Sequence, residues 1–304
     1  MEEKRNSYIG SVRFFKNLIL VAVLIMIAVP TVFAVCYHHK SADLQKTVTK
    51  LSQEIKGEKK EKDSNKDSAT QQAEPIDYQS LYPDFYAPQK YGATERVEKT
   101  AFLTFDDGPS ERTDEVLDIL AEKGVKATFY VIGQSSEENF QRMRDIVAQG
   151  HTLGMHSYCH NYEKIYASVE DYLADMYQIF TQIKEATGQT PTAFRFPGGS
   201  LNAYNGALYR EMISEMMRRG FVPCDWNISS GDATGESMSA SAITQNILGQ
   251  SGDKIRCFIL YHDSEPKTSS VGSLSDVIDG LQEQGFKLEA ITEKTMPVLF
   301  GYSE

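Results

Sequence analysis

The stretch TFDDG at residues 104–108 follows an apolar run, residues 100–103, that is typical of a buried strand. A Gly-Pro dipeptide at the end of the stretch predicts a sharp turn. Asp106 and Asp107 are therefore expected at the carboxyl end of a strand, where α/β folds place their functional groups. An ordinary Asp-Gly turn is the alternative. Two adjacent carboxylates, however, repel each other unless a cation or an arginine compensates.

A second apolar stretch leads into HSYCH at residues 156–160. His156 and His160 stand four residues apart, which predicts that both lie on one face of a helical turn and reach one metal ion. Surface or hydrogen-bonded histidines are the alternative. With His151 and His262, however, the pair makes four of the six histidines in the chain. This clustering favours a divalent ion that accepts both imidazole and carboxylate ligands.

Strands and helices alternate from residue 99 onward, which predicts βαβ units and an α/β fold with a parallel sheet. A helix is predicted from Thr113 to Lys123, and Ser135 and Ser168 are predicted as N-caps. The pattern alone does not separate an open sheet from a barrel. Seven segments read as strands: 100–105, 127–132, 152–155, 193–196, 221–227, 256–261 and 287–290.

Three further motifs follow or end short apolar strands. They are RFPGG at 195–199, DWN at 225–227 together with Asp232, and LYHD at 260–263. With the two motifs above, and in this order, the set resembles the polysaccharide deacetylases of carbohydrate esterase family 4, the nodulation-protein-B type. The resemblance covers about residues 99–293. It implies a distorted (β/α) barrel with about seven parallel strands.

The resemblance also implies a metal site and a base. Asp107, His156 and His160 would hold one divalent ion, with Zn²⁺ as the first expectation and Co²⁺, Ni²⁺ or Mn²⁺ as alternatives. Three protein ligands leave positions open for water and substrate. Asp106 would be the general base, kept ionised and oriented by Arg195.

The remaining roles implied by the resemblance concern the acid and the substrate. His262 would be the general acid, because its ordinary pKa of about 6.5 lets it give up a proton at neutral pH. Asp232 would orient it. Leu260 would line the slot for the acetyl methyl group, and the N–H of Gly198 would help to hold the oxyanion. Trp226 is a candidate for sugar binding, with a core position as the alternative.

The sequence departs from the family pattern at two positions. The third motif usually has an aromatic residue after its proline, whereas Gly198 and Gly199 stand here. The tryptophan that usually follows the aspartate of the fourth motif is Ala233. Sugar stacking is therefore expected to be weaker, or to come from Tyr204 or Trp226.

The charge of the chain argues against nucleic acid as a partner. The 304 residues are 41% hydrophobic, enough for one sizeable core, and carry a formal net charge of -11. Residues 1–70 are net basic, so the acidic surplus lies in the remainder, which would repel phosphates. A neutral or cationic polymer suits such a surface better.

An uncharged run of 19 residues, Leu18 to Cys36, follows a basic flank. It matches the ~20 residues that cross a bilayer, and an uncleaved signal-anchor is expected. The alternative is a secreted protein cleaved near Ala34. The predicted organisation is a cytoplasmic N-terminus at 1–17, a transmembrane signal-anchor at 18–36, a charged stalk and lead-in at 37–92, and a catalytic domain at 93–304.

Apolar residues at positions 44, 48, 51 and 55 form two heptads, which indicates at most weak self-association of the stalk.

The cysteines predict no disulfide framework. Cys224 and Cys257 lie on strands that could be neighbours, so a bridge between them is one expectation. Cys159 is expected to pack rather than to bind metal.

The leading functional prediction is a membrane-anchored, metal-dependent deacetylase of N-acetylglucosamine units in a cell-surface glycan, with peptidoglycan as the first candidate. The alternatives are a deacetylase of another exported glycan, such as poly-N-acetylglucosamine or chitin oligomers, and an inactive wall-binding protein.

Overall fold

The computed structural model describes residues 77–89, 92, 99–233 and 238–302. Within these ranges no helix is both long and apolar enough to cross a bilayer. The predicted signal-anchor at 18–36 and the predicted stalk seam lie outside the described residues.

Strands and helices alternate along the domain, as the pattern predicts. A 3₁₀ turn at Asp77–Ser80 comes first. The strands are β1 Thr100–Asp106, β2 Thr128–Ile132, β3 Thr152–Ser157, β4 Ala193–Phe194, β5 Val222–Pro223, β6 Ile228–Ser229, β7 Arg256–His262 and β8 Lys287–Leu288. The helices are α1 Glu111–Lys123, α2 Glu137–Ala148, α3 Tyr162–Ile165, α4 Val169–Thr187, α5 Tyr209–Arg218, α6 Ala240–Ser251 and α7 Thr268–Glu283.

The sheet is parallel throughout its described pairs, in the order β5-β4-β3-β2-β1-β7-β6. These seven strands confirm the predicted parallel α/β fold, and β8 adds a short pairing to the amino end of β1. The two outer strands, β5 and β6, are not paired with each other in the described sheet, so the architecture is a half-barrel. β1 lies at its centre and is buried along its whole length.

The predicted strand at 221–227 is wrong as a single element. The chain leaves β5 after Pro223 and joins the far edge of the sheet as β6. Between the two strands, the carbonyls of Cys224 and Asp225 accept hydrogen bonds from the guanidinium of Arg195 at 2.7 and 2.9 Å. These carbonyls therefore accept hydrogen bonds from a side chain and not from a neighbouring strand.

The expected bridge between Cys224 and Cys257 is also wrong, since both are free thiols. Cys224 follows β5, whereas Cys257 lies on β7, and four strands separate β5 from β7. Cys159 is free as well. It is exposed, so the packing role expected for it is wrong.

Helix ends follow the predicted chemistry, with two shifts. Helix α1 begins at Glu111, two residues before the predicted Thr113. Its N-cap, Ser110, forms a capping box with Thr113, and its C-cap, Gly124, has a left-handed φ of 65°. Ser168 caps α4 by accepting a hydrogen bond from the N–H of Asp171, as predicted. Helix α2 is capped by Ser136 and not by Ser135.

Residues 77–89 pack onto the domain through a buried aromatic ring and an arginine, among other contacts. Phe85 is fully buried. Arg219, at the end of α5, pairs with Glu215 at 2.7 Å and donates hydrogen bonds to the carbonyls of Leu81 at 2.9 Å and Tyr82 at 3.1 Å. The guanidinium thus supplies hydrogen-bond donors to the backbone carbonyls of the loop.

His151, one of the four histidines whose clustering favoured a metal ion, is not part of the metal-binding group and is a core residue. Its Nδ1 accepts a hydrogen bond of 3.2 Å from the N–H of Ala127, and its ring packs edge-on against Phe129. Burial, followed by the charge of Lys126, lowers its pKa to about 4.

We expect His151 to make the protein less stable as the pH falls. The unfolded chain takes up a proton below about pH 6.5 and the folded chain only near 4, so stability is intact above 6.5 and declines between these values. At pH 5 the loss is about 2 kcal/mol relative to pH 7.5. His151→Asn keeps an acceptor for Ala127 and should flatten the pH dependence of the free energy of unfolding in urea. An unchanged slope would contradict this assignment.

Candidate active site

The two acidic residues of the first motif lie at the carboxyl end of β1, as predicted. Asp106 is the last residue of the strand, and Asp107 adopts a left-handed φ of 69°. The next residue has no room for a side chain, because a Cβ on Gly108 would lie 2.4 Å from the carboxylate of Asp263. This close approach explains why a glycine follows the acidic pair.

Asp107, His156 and His160 come together in a group that suits a metal ion, with ligand atoms within 4.8 Å of one another. Asp107 Oδ1 is 3.5 Å from His156 Nε2 and 3.2 Å from His160 Nε2. Ligand atoms about 2 Å from a tetrahedral ion stand roughly 3.3 Å apart, close to these separations. Asp107 Oδ1 is buried and has no hydrogen-bond donor among the described residues.

The protonation states of the two imidazoles suit metal binding, because a ligating imidazole must be neutral. Nδ1 of His156 is 2.9 Å from the carbonyl oxygen of Arg195, so the ring nitrogen that carries hydrogen is Nδ1 and the lone pair is on Nε2. Burial, together with the neighbouring His156, lowers the pKa of His160 and favours its neutral form. Both rings are therefore suited to bind a metal ion, and His156 would do so through Nε2.

The predicted helical turn between the two histidines is wrong. His156 lies on β3, and His160 lies in the loop that follows, with a left-handed φ of 48°. The loop is held by Ser157, whose Oγ accepts a hydrogen bond of 2.8 Å from the N–H of His160. The two histidines still come together, because the end of β3 and the tight loop after it bring their rings to a centroid distance of 5.2 Å.

Asp175, on α4, organises this loop, and the motif analysis missed it. Its carboxylate accepts hydrogen bonds from Ser157 Oγ at 2.6 Å and from the N–H groups of Tyr158 at 2.8 Å and Cys159 at 2.9 Å. The sequence did carry a signal. Asp175 is an acidic residue on the buried face of an amphipathic helix, and such a carboxylate needs partners.

We expect Asp175→Asn to weaken divalent metal binding about tenfold to 100-fold, because an amide cannot accept from three donors and the His160 loop loses its support. Competition with a chromophoric chelator measures the affinity. Asp171→Asn, exposed on the same helix, is the matched control. Equal metal affinity in Asp175→Asn and the wild type would contradict this role.

Arg195, the first residue of the third motif, is fully buried, and its guanidinium contacts the first and fourth motifs. It donates to Asp106 Oδ1 at 2.9 Å and to Thr104 Oγ1 at 2.7 Å. Its guanidinium also lies over the ring of Tyr130, 4.5 Å from the centroid. Every contact fixes the plane of the guanidinium, and the guanidinium in turn orients the Asp106 carboxylate.

His262 ends β7, directly beside Asp106 in the strand register. Its ring Nδ1 is 2.7 Å from Asp232 Oδ1, and its backbone N–H donates to Asp232 Oδ2 at 3.0 Å. Ser270 donates to the same carboxylate at 2.7 Å. Burial lowers the pKa of His262, but the hydrogen bond and charge of Asp232 outweigh it, so the pKa is raised.

The predicted substrate-contacting residues have different surroundings. Leu260 is buried two positions before His262 on the same face of β7. Gly198 has a left-handed φ of 74°, and its N–H donates to no acceptor among the described residues. Trp226 packs edge-on against Phe300 at 4.8 Å and lies under the guanidinium of Arg195. The tryptophan therefore supports the arginine, a role that the sequence motif did not reveal.

Asp225 connects the third motif to the C-terminal segment. Its carboxylate accepts hydrogen bonds from the N–H groups of Ser200 at 2.8 Å and Phe300 at 2.6 Å. Phe300 fills the space beside Gly199, where a Cβ would lie 2.6 Å from its ring. Residue 300 lies in no motif, so this contact could not be predicted from the sequence.

Residues 93–216 match a family model described as polysaccharide deacetylase. A peptidoglycan-N-acetylglucosamine deacetylase of Bacillus cereus is 36% identical over 221 residues, covering 71% of this chain and 77% of the relative. The catalytic domain of a peptidoglycan N-acetylglucosamine deacetylase from Eubacterium rectale superposes with a TM-score of 0.65 at 30% identity, covering 72% of this chain and 99% of that domain. A polysaccharide deacetylase from Bacillus cereus superposes with a TM-score of 0.59 at 35% identity, covering 66% of this chain and 97% of that chain.

Proposed function

The chain belongs to the polysaccharide deacetylase family, and from this we propose that it removes N-acetyl groups from the N-acetylglucosamine residues of peptidoglycan in a metal-dependent hydrolysis that releases acetate. The observation that carries the proposal is the group Asp107, His156 and His160 beside a buried Asp106–Arg195 pair and a His262–Asp232 pair.

The residues fit the divalent ion on which this family depends. One carboxylate and two imidazoles are donors suited to Zn²⁺, and also to Co²⁺, Ni²⁺ or Mn²⁺. The buried Asp107 Oδ1, without a donor among the described residues, is the kind of atom that a cation satisfies. When bound, such an ion supplies Lewis-acid chemistry, since it polarises a carbonyl oxygen and acidifies water.

Asp106 is the general base in this proposal. Arg195 donates to Oδ1, which leaves Oδ2, 3.9 Å from His156 Nε2, to take a proton from the attacking water. Because Asp106 is not one of the three metal-binding residues, its lone pairs remain available to accept the proton from water. The N–H of Gly198 would then hydrogen-bond to the acetyl oxygen as negative charge develops on it.

His262 is the general acid. Asp232 holds the Nδ1 hydrogen, so Nε2 carries the proton that passes to the sugar nitrogen as the carbon–nitrogen bond breaks. The products are acetate and a free amine on the sugar. Leu260, buried on the same strand face, would contact the acetyl methyl group and exclude water there.

The substrate is tested by acetate release from purified peptidoglycan, poly-N-acetylglucosamine and chitin oligomers, each with and without chelator. We expect the fastest acetate release from peptidoglycan, and we expect the chelator to abolish it. Faster release from another glycan would select the alternative substrate. No release from any of the three would contradict the proposed activity.

We also propose that the catalytic domain acts outside the cytoplasm, tethered through residues 18–36. The support is the uncharged run of 19 residues with its basic flank. Protease treatment of intact cells should remove the domain and leave a small membrane fragment. A soluble protein beginning at Val35 would instead favour secretion after cleavage near Ala34.

A further inference from the structure

Two tyrosines extend from the metal-binding group toward solvent. The ring of Tyr162, on α3, meets His160 edge-on at a centroid distance of 5.5 Å. Tyr204 lies 5.2 Å beyond Tyr162 and is 56% exposed. Tyr162 is partly buried against the core, whereas the ring of Tyr204 is exposed and accessible to a ligand.

Tyr162 occupies the space where a side chain on the third motif would lie. A Cβ on Gly198 would be 2.8 Å from Cε1 of Tyr162, and the φ of 74° at Gly198 also disfavours any side chain. The space beside Gly198 is therefore occupied by a tyrosine from the helix that follows the second motif.

Tyr204 is held in place by the backbone of the third motif. Its N–H donates to Asn202 Oδ1 at 2.8 Å, and Asn202 Nδ2 donates to the carbonyls of Pro197 and Gly199 at 3.1 Å each. The loop that carries the ring is thus fixed to the motif before any ligand arrives. Such preorganisation reduces the entropy cost of binding.

The chemistry of the two rings suits a sugar. A pyranose ring presents C–H groups on its face, and the face of an aromatic ring is electron-rich, so the two surfaces attract while the hydroxyl groups stay in water. Tyr162 contacts His160 and Tyr204 lies beyond it, so a glycan held on both rings would extend away from the metal-binding group.

We propose that Tyr162 and Tyr204 form the binding surface for the sugar next to the one that loses its acetyl group. This inference rests on the proposed function, because it assumes a glycan chain as substrate. It makes Tyr204 the residue that gives the enzyme a preference for oligomers over single sugars.

The test is equilibrium binding of tetra-N-acetylchitotetraose, measured by calorimetry in an Asp106→Asn background that prevents turnover. Adding Tyr204→Ala should raise the Kd about tenfold, since it removes the apolar area that a sugar ring covers. Tyr204→Phe keeps the ring and should keep the Kd. Tyr86→Ala, at a tyrosine 38% exposed on the lead-in, is the control and should leave the Kd unchanged.

An unchanged Kd for Tyr204→Ala, or no binding by the Asp106→Asn protein itself, would overturn the inference. Acetate release by the wild type is measured separately on the same tetramer. Tetramer binding that depends on Tyr204, without acetate release by the wild type, would leave the inference standing and contradict only the proposed function.

Discussion

Asp106→Asn is expected to lower kcat/KM for acetate release from N-acetylglucosamine oligomers by about 10²–10⁴, the usual contribution of a positioned proton-transfer group. The asparagine still accepts a hydrogen bond from Arg195 but cannot take a proton from water. Because Asp106 is not one of the metal-binding residues, the metal content should stay at the wild-type value. The measurement is initial-rate kinetics together with elemental analysis of the same samples.

Asp118→Asn, at an exposed carboxylate on α1, is the matched control and should keep wild-type kinetics. Thermal unfolding is followed as well, because Asp106 is the charge partner of a fully buried arginine. Near-full activity of a folded Asp106→Asn protein would show that another group is the base.

His262→Ala is expected to cost about 10²–10⁴ in kcat/KM on the amide substrate, because the amine then leaves without a proton. An activated ester such as 4-nitrophenyl acetate has a leaving group that needs no protonation. Hydrolysis of this ester should therefore fall much less. Equal losses on the amide and the ester would contradict the role of His262 as acid.

Asp232 should set the alkaline limit of the same reaction. The acid works while it is protonated, so activity declines as the pH rises through the pKa of His262. Asp232 raises that pKa by its hydrogen bond and charge. Asp232→Asn should therefore move the alkaline limb of the kcat/KM profile to lower pH, and an unmoved limb would show that a different group titrates there.

Local chemistry made the parallel sheet and the first motif predictable. An apolar run that ends in two carboxylates and a Gly-Pro dipeptide indicates a strand end without knowledge of its neighbours. β1 does end at Asp106, and β7 ends beside it at His262. In a parallel sheet, these ends meet at one edge, so motifs that follow strands are brought together whatever their separation in sequence.

The features that depend on contacts between distant residues could not be predicted from the sequence. The segment 221–227 reads as one strand, but the buried guanidinium of Arg195 takes the carbonyls at its centre. The histidine spacing suggested a helical turn, whereas a carboxylate from α4 holds a loop there. Phe300 reaches Trp226 from the far end of the chain. Each of these depends on a partner that no local pattern specifies.

The most direct test of metal-dependent deacetylation is metal content and acetate release measured on the same samples of wild type and His156→Ala/His160→Ala. We expect one divalent ion per wild-type chain, with acetate matched by free amine. We expect the double variant to fold but to contain no ion and to release no acetate. Acetate release at the wild-type rate from a folded, metal-free double variant would contradict metal-dependent deacetylation.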